Sequence, residues 1–150
     1  MIIRDILNMK GGTIYSMAPD GKVSDAVSMM VNNDIGSLVV MEGGRMTGMV
    51  TFREVLKALD AQSGNLADLR IRDVMVADPI SGSPEDTIDH LREVMTHNHV
   101  RYLPVRDGAT LLGVISFHDV AKSVIKETSF ENRLLKRYIK NWPEADDAPK

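Results

Sequence analysis

The sequence predicts an α+β fold: two β-α-β-β-α repeats packed with pseudo-twofold symmetry, followed by a C-terminal helix. Three observations predict it. A seven-residue phrase occurs twice, GMVTFRE at 48–54 and GVISFHD at 113–119, with its glycines 65 positions apart (113 − 48). The same offset aligns Ser16 with Ser81, Pro19 with Pro84, Met30 with Met95, Asn33 with Asn98, Leu38 with Leu103 and Val40 with Val105, without a gap. Apolar spacing also changes in the same order in both halves, from helical to strand-like and back.

Taken in order, Ile3-Arg4-Asp5-Ile6-Leu7 resembles Ile71-Arg72-Asp73-Val74-Met75 at an offset of 68, so the first repeat carries about three extra residues between Met9 and Thr13. A short strand is expected near Tyr15 and Ser16, and again near Ile80 and Ser81. Val23, Ala26, Val27, Met30 and Val31 follow helical spacing, as do Ile88, Leu91, Val94 and Met95. Ser24 and Thr87 are their cap candidates. Apolar runs follow at Ser37 to Met41 and Tyr102 to Val105. Gly43-Gly44 and Asp107-Gly108 turn the chain into second runs, Met46 to Val50 and Leu111 to Ile115. The repeated phrase then opens helices over Glu54 to Leu59 and Asp119 to Ile125. Thr128-x-x-Glu131 reads as a capping box for a further amphipathic helix. Its apolar stripe is Phe130, Leu134, Leu135, Tyr138 and Ile139, and Pro143 stops it. The expected segments are therefore 1–66 and 67–127 for the two repeats, 128–143 for the C-terminal helix and 144–150 for a disordered tail.

Composition narrows the function. The chain has 150 residues, 43% hydrophobic and 26% charged, ordinary for a globular domain with a buried core. A net charge of −3 disfavours nucleic acid as a partner. No apolar run approaches the roughly 20 residues of a membrane span. With no cysteine there is neither a disulfide framework nor a thiolate metal site. The N-terminus lacks the build of a signal peptide, so a cytoplasmic location is expected. The ten methionines sit at core-like spacing and read as packing. His97-x-His99 lacks partner carboxylates at metal spacing, so no metal is expected. No nucleophile elbow, phosphate loop or catalytic carboxylate pair is present, so catalysis is not expected.

The phrase itself supports two readings. Thr51-x-x-Glu54 and Ser116-x-x-Asp119 fit a helix capping box, which needs no ligand. A helix N-terminus after a glycine also attracts phosphate, and a carboxylate there can accept hydrogen bonds from a ribose diol. Arg53 and His118, one position before each carboxylate, are candidates for reaching further phosphates.

With its context, the repeat resembles a known family. Arg72-Asp73-Val74-Met75, Val100-Arg101-Tyr102-Leu103-Pro104-Val105, Gly113-Val114-Ile115-Ser116-Phe117-His118-Asp119 and their first-repeat counterparts resemble a tandem pair of cystathionine β-synthase domains, a CBS pair or Bateman module. The resemblance covers about residues 1 to 126. It implies clefts between the repeats that bind adenosine ligands: AMP in the first place, with ADP, ATP or NAD(H) as further candidates and S-adenosylmethionine as another.

Carried onto this chain, the resemblance assigns one nucleotide site to Ser116, Asp119, Arg101, Tyr102, Ile80, Ser81, Val100, Pro104 and His118. It assigns a second, weaker cleft to Thr51, Glu54, Arg53, Tyr15, Ser16, Ile35, Gly36 and Ser37. Glu54 departs from the family's aspartate, and Gly36 stands where Arg101 offers a phosphate contact. A homodimer is also implied. The expected function is a regulatory nucleotide-binding module, an energy or redox sensor acting on a separate regulated protein. The competing expectation is a ligand-independent dimerisation or protein-interaction module.

Overall fold

The computed structural model describes residues 1–138. The first half runs α1 (Ile3–Lys10), β1 (Ser16–Met17), α2 (Val23–Asn33), β2 (Ser37–Glu42), β3 (Arg45–Thr51) and α3 (Phe52–Ala61). The second runs α4 (Ile71–Val74), β4 (Val76–Ala77), α5 (Ile88–His97), β5 (Tyr102–Asp107), β6 (Thr110–Ser116) and α6 (Phe117–Tyr138).

The two hairpins are copies of one another. β2 pairs antiparallel with β3, and β5 with β6. Each has a register shift at the same place, after Val40 and after Val105. Gly43 and Gly44 both take positive φ, as a two-residue hairpin turn requires. In the second hairpin, Gly108 and Ala109 lie between the paired Asp107 and Thr110.

Around the hairpins the halves differ. β1 and β4 extend the first into a four-stranded sheet of order β1-β2-β3-β4. The second remains two-stranded, with only a parallel bridge from Gly82 to Val105.

The leading segments change places. α1 buries Ile3 and Ile6 among Ile88, Leu91, Met95, Leu103, Val105, Ile115 and Val120, all from the second half. α4 buries Ile71 among Val23, Ala26, Met30, Leu38, Val40, Val50 and Val55, all from the first. The hydrogen bonds repeat too. Ile3 N–H donates to the Asp86 carbonyl at 2.9 Å and Ile71 N–H to the Gly21 carbonyl at 2.8 Å. Arg4 pairs with Glu85, and Arg72 with Asp20. Each sequence repeat therefore completes the core of the other.

Three local expectations are corrected. No strand forms at Ile80 and Ser81: the short strand of the second half is β4 at Val76–Ala77, paired with β3, and only Gly82 bridges Val105. Thr87 caps α5 by accepting from His90 N–H at 3.1 Å, but Ser24 lies inside α2, whose N-cap is Lys22. Lys22 bridges Arg70, which holds the chain extended until Val23 enters the core. Thr128 caps nothing, because α6 is continuous from Phe117 to Tyr138. No glycine or proline interrupts that stretch, so propagation overrides a local cap signal. The expectations for Ile139, Pro143 and the tail at 144–150 lie outside the described residues.

Candidate functional site

Each repeated phrase sits at a strand-to-helix junction, where the chain leaves a hairpin and starts α3 or α6. Thr51 caps α3: its Oγ1 accepts from Arg53 N–H at 3.2 Å. Glu54 reaches back to accept from Thr51 N–H at 2.9 Å and from Thr51 Oγ1 at 3.0 Å. In the second copy, Ser116 Oγ accepts from Asp119 N–H at 3.1 Å and Asp119 Oδ2 accepts from Ser116 N–H at 2.9 Å. Both capping boxes are formed.

Asp119 has an additional partner. Lys10 Nζ donates to Asp119 Oδ2 at 2.6 Å and to the Val114 carbonyl at 2.8 Å. Burial pushes the Asp119 carboxyl upward, but the hydrogen bonds from Lys10 and Ser116 and the charge of Lys10 outweigh it, so its pKa lies below the ordinary carboxylate value. Glu54 has no salt bridge among the described residues.

Two clefts open at these junctions. The larger encloses about 880 Å³ and the smaller about 520 Å³, volumes in the range of small-molecule sites. The walls cross between repeats. Ser116 and His118 of the second phrase share the larger cleft with Tyr15, Ile35, Gly36 and Ser37 of the first repeat. Thr51, Arg53 and Glu54 share the smaller with Ile80 and Val100 of the second. The expected grouping, each phrase with the strands of its own repeat, is therefore corrected. The pseudo-twofold arrangement brings each phrase opposite the other repeat's strands.

Arg101 and Tyr102 line both clefts, together with Phe52 and His99. The Arg101 guanidinium lies 5.5 Å from the centre of the Phe52 ring, and Phe52 meets Tyr102 edge to face at 6.1 Å. A Cβ on Gly36 would fall on the Tyr102 hydroxyl, so the glycine opposite Arg101 makes room for this ring. Burial raises the Tyr102 pKa above its ordinary value, partly opposed by Arg101 and reinforced by Asp119. The phenol stays protonated at neutral pH and can both donate and accept.

The remaining expected residues lie outside the linings. Ser16 pairs with Val39 on the sheet edge. Ser81 is held by Arg106, and the Pro104 carbonyl accepts from Gly82 N–H. Asp119 stands behind Ser116 and reaches the larger cleft through Lys10. No cluster of three metal-ligating side chains occurs among the described residues. None of their helices is long and apolar enough to cross a membrane.

Sequence reasoning missed Lys10 and the phenylalanines Phe52 and Phe117, which line the clefts. The signal for Lys10 was the change of offset from 68 to 65. The extra residues lengthen α1 to eight residues against four in α4 and place a lysine at its end.

The model of the CBS domain family matches residues 3–61 and 71–126. The chain belongs to the CBS domain family. Among its relatives, the mitochondrial CBS domain-containing protein CBSX3 of Arabidopsis thaliana is 29% identical over 146 residues, covering 91% of this chain and 71% of its own. A solved structure of a putative signal-transduction protein with CBS domains from Burkholderia ambifaria superposes with a TM-score of 0.79 at 32% identity, covering 84% of this chain and 95% of that one. The CBS domain pair of protein MJ0100, solved in complex with 5′-methylthioadenosine and S-adenosyl-L-methionine, has the same fold: TM-score 0.74 at 19% identity, covering 85% of this chain and 98% of that one.

Proposed function

We propose that this CBS pair is a regulatory adenine-nucleotide-binding module, with AMP as its first ligand and ADP, ATP or NAD(H) as alternatives, sensing energy or redox state on behalf of a separate partner protein. One observation carries the reading. In the larger cleft a helix N-terminus with its Ser116 hydroxyl faces the other repeat across about 880 Å³, with Lys10 and Arg101 among the lining cations. A phosphate fits the helix start and cations, and a base fits against Tyr15, Ile35 and Tyr102. The complex of the MJ0100 pair with adenosine compounds supports the ligand class. Because the cleft lies between repeats, a ligand there would bias their relative orientation and so the surface offered to a partner.

The first experiment is a thermal-shift screen against AMP, ADP, ATP, NAD, NADH and S-adenosylmethionine, with Asp119→Ala alongside. A ligand at 100 times its dissociation constant adds about 2.7 kcal/mol. Stabilisation of the wild type and loss of the effect in the variant are expected. No shift with any compound would overturn the reading.

A second reading, ligand-independent dimerisation, is favoured by α6. Ile125, Phe130, Leu134 and Leu135 lie exposed along it, and an amphipathic face left uncovered in one copy suits a second copy. Sedimentation of the wild type and of a Phe130→Glu, Leu134→Glu double variant tests it. A monomeric wild type at micromolar concentration would reject a homodimer.

A further inference from the structure

We infer that Lys10 is the specificity-determining residue of the larger cleft, selecting adenosine ligands that carry a 5′-phosphate over uncharged or cationic ones. This deepens the nucleotide-sensor reading and rests on it.

An unpaired carboxylate at the N-terminus of α6 would repel a phosphate arriving there. Lys10 cancels that charge where it stands, with its ammonium 2.6 Å from Asp119 Oδ2. The second hydrogen bond, to the Val114 carbonyl at 2.8 Å, ties the ammonium to the end of β6. An ammonium has three N–H donors. Two are used here, and Lys10 lines the cleft with the third left for a ligand. Arg101, with its guanidinium over the Phe52 ring, lines the same cavity, as does Asp34 from the other repeat. The result is a fixed cation beside a helix start, an arrangement that rewards a phosphate and offers nothing to a neutral nucleoside or a sulfonium.

The device belongs to one cleft only. Glu54, at the equivalent position, has no salt bridge among the described residues. The equivalent helix, α4, ends at Val74 and brings no cation to it. The extra residues of the first repeat thus give the larger cleft a cation tied to the carboxylate of its own phrase, whereas the cations of the smaller cleft, Arg53 and Lys57, sit on α3 itself and Arg101 is shared.

Calorimetry on the full chain tests this with AMP, adenosine and S-adenosylmethionine, on wild type, Lys10→Gln and Lys10→Arg. Lys10→Gln is expected to weaken AMP by about tenfold or more, the worth of one charge-assisted hydrogen bond. Adenosine should stay within about twofold, and Lys10→Arg should keep most of the AMP affinity. Equal weakening of AMP and adenosine, or no loss for AMP, would overturn the assignment. If Lys10→Gln melts too low to be read, added salt on the wild type decides: AMP affinity should fall while adenosine affinity holds, and equal responses would overturn it. If the wild type binds AMP and adenosine alike, only the role of Lys10 falls. If it binds none of the three, the sensor reading falls and Lys10 with it.

Discussion

Glu54 and Asp119 end the same phrase in the two halves, yet they are held differently. Glu54 is longer by one methylene and folds back onto both the N–H and the hydroxyl of Thr51. Asp119 bonds the Ser116 N–H and is also held by a lysine from the other end of the chain. The wall between the clefts is equally unequal: Arg101 and Tyr102 come from the second repeat, while Gly36 and Ser37 stand at the matching positions of the first. Backbone devices are kept in both copies, down to the register shift after Val40 and Val105. The side chains that line the clefts are not. The difference teaches that the fold needs the symmetry and the site does not.

The largest expected effect tests the symmetry of the core. Leu38 and Leu103 are counterparts, each 1% exposed in its own cluster. Leu38→Ala and Leu103→Ala should each lose about 2–5 kcal/mol. Because α1 and α4 are exchanged, each variant should still unfold in urea as one transition by fluorescence and circular dichroism together. Two separate transitions would break the picture of mutually completed halves.

The next effect should be unequal. A Cβ on Gly48 would come 2.8 Å from the Val76 carbonyl oxygen, while one on Gly113 would come 2.8 Å from a Leu7 methyl. A strand backbone cannot step aside, but a leucine end can. Gly48→Ala should therefore cost about 1–3 kcal/mol and Gly113→Ala clearly less, read from denaturation midpoints. Equal losses would mean that α1 holds β6 as rigidly as β4 holds β3.

Most of the fold was legible because each half repeats its apolar periods, turn glycines and capping phrase at one offset. What stayed hidden depends on contacts between distant residues. The exchange of α1 and α4 is written only as a discrepancy: the donors Ile3 and Ile71 align at 68, their acceptors Asp86 and Gly21 at 65. The crossing of the cleft walls has no local signal, since Ile35 and Ser116 are neighbours only after the repeats meet. Lys10 left only the shift of offset from 68 to 65, which does not say that it meets Asp119. Thr128 erred the other way, a local cap signal overruled by a helix with nothing to stop it.

The caps come next in size. Thr51→Val and Ser116→Ala should each lose about 1 kcal/mol in thermal or urea melts. A loss confined to one of them would show that only one junction relies on its hydroxyl for stability.

The smallest effect separates the two carboxylates by pH. The pKa of Asp119 is lowered in the folded chain, by Lys10 and Ser116 against the cost of burial, while the unfolded chain has the ordinary value near 3.9. The unfolded state then binds the proton more readily. The ionised carboxyl contributes stability above about pH 4, and that contribution is lost as the pH falls through the lower, folded value. Asp119→Asn should thus melt below the wild type at neutral pH, by under about 1 kcal/mol for a pair with this exposure. The gap should close as the pH falls through that lowered value. Lys10→Gln should behave the same way, because it removes the other member of the pair. A gap that persists at low pH would mean that the variant loses stability for a reason other than the charge of Asp119, leaving the two junctions more alike than their geometry indicates.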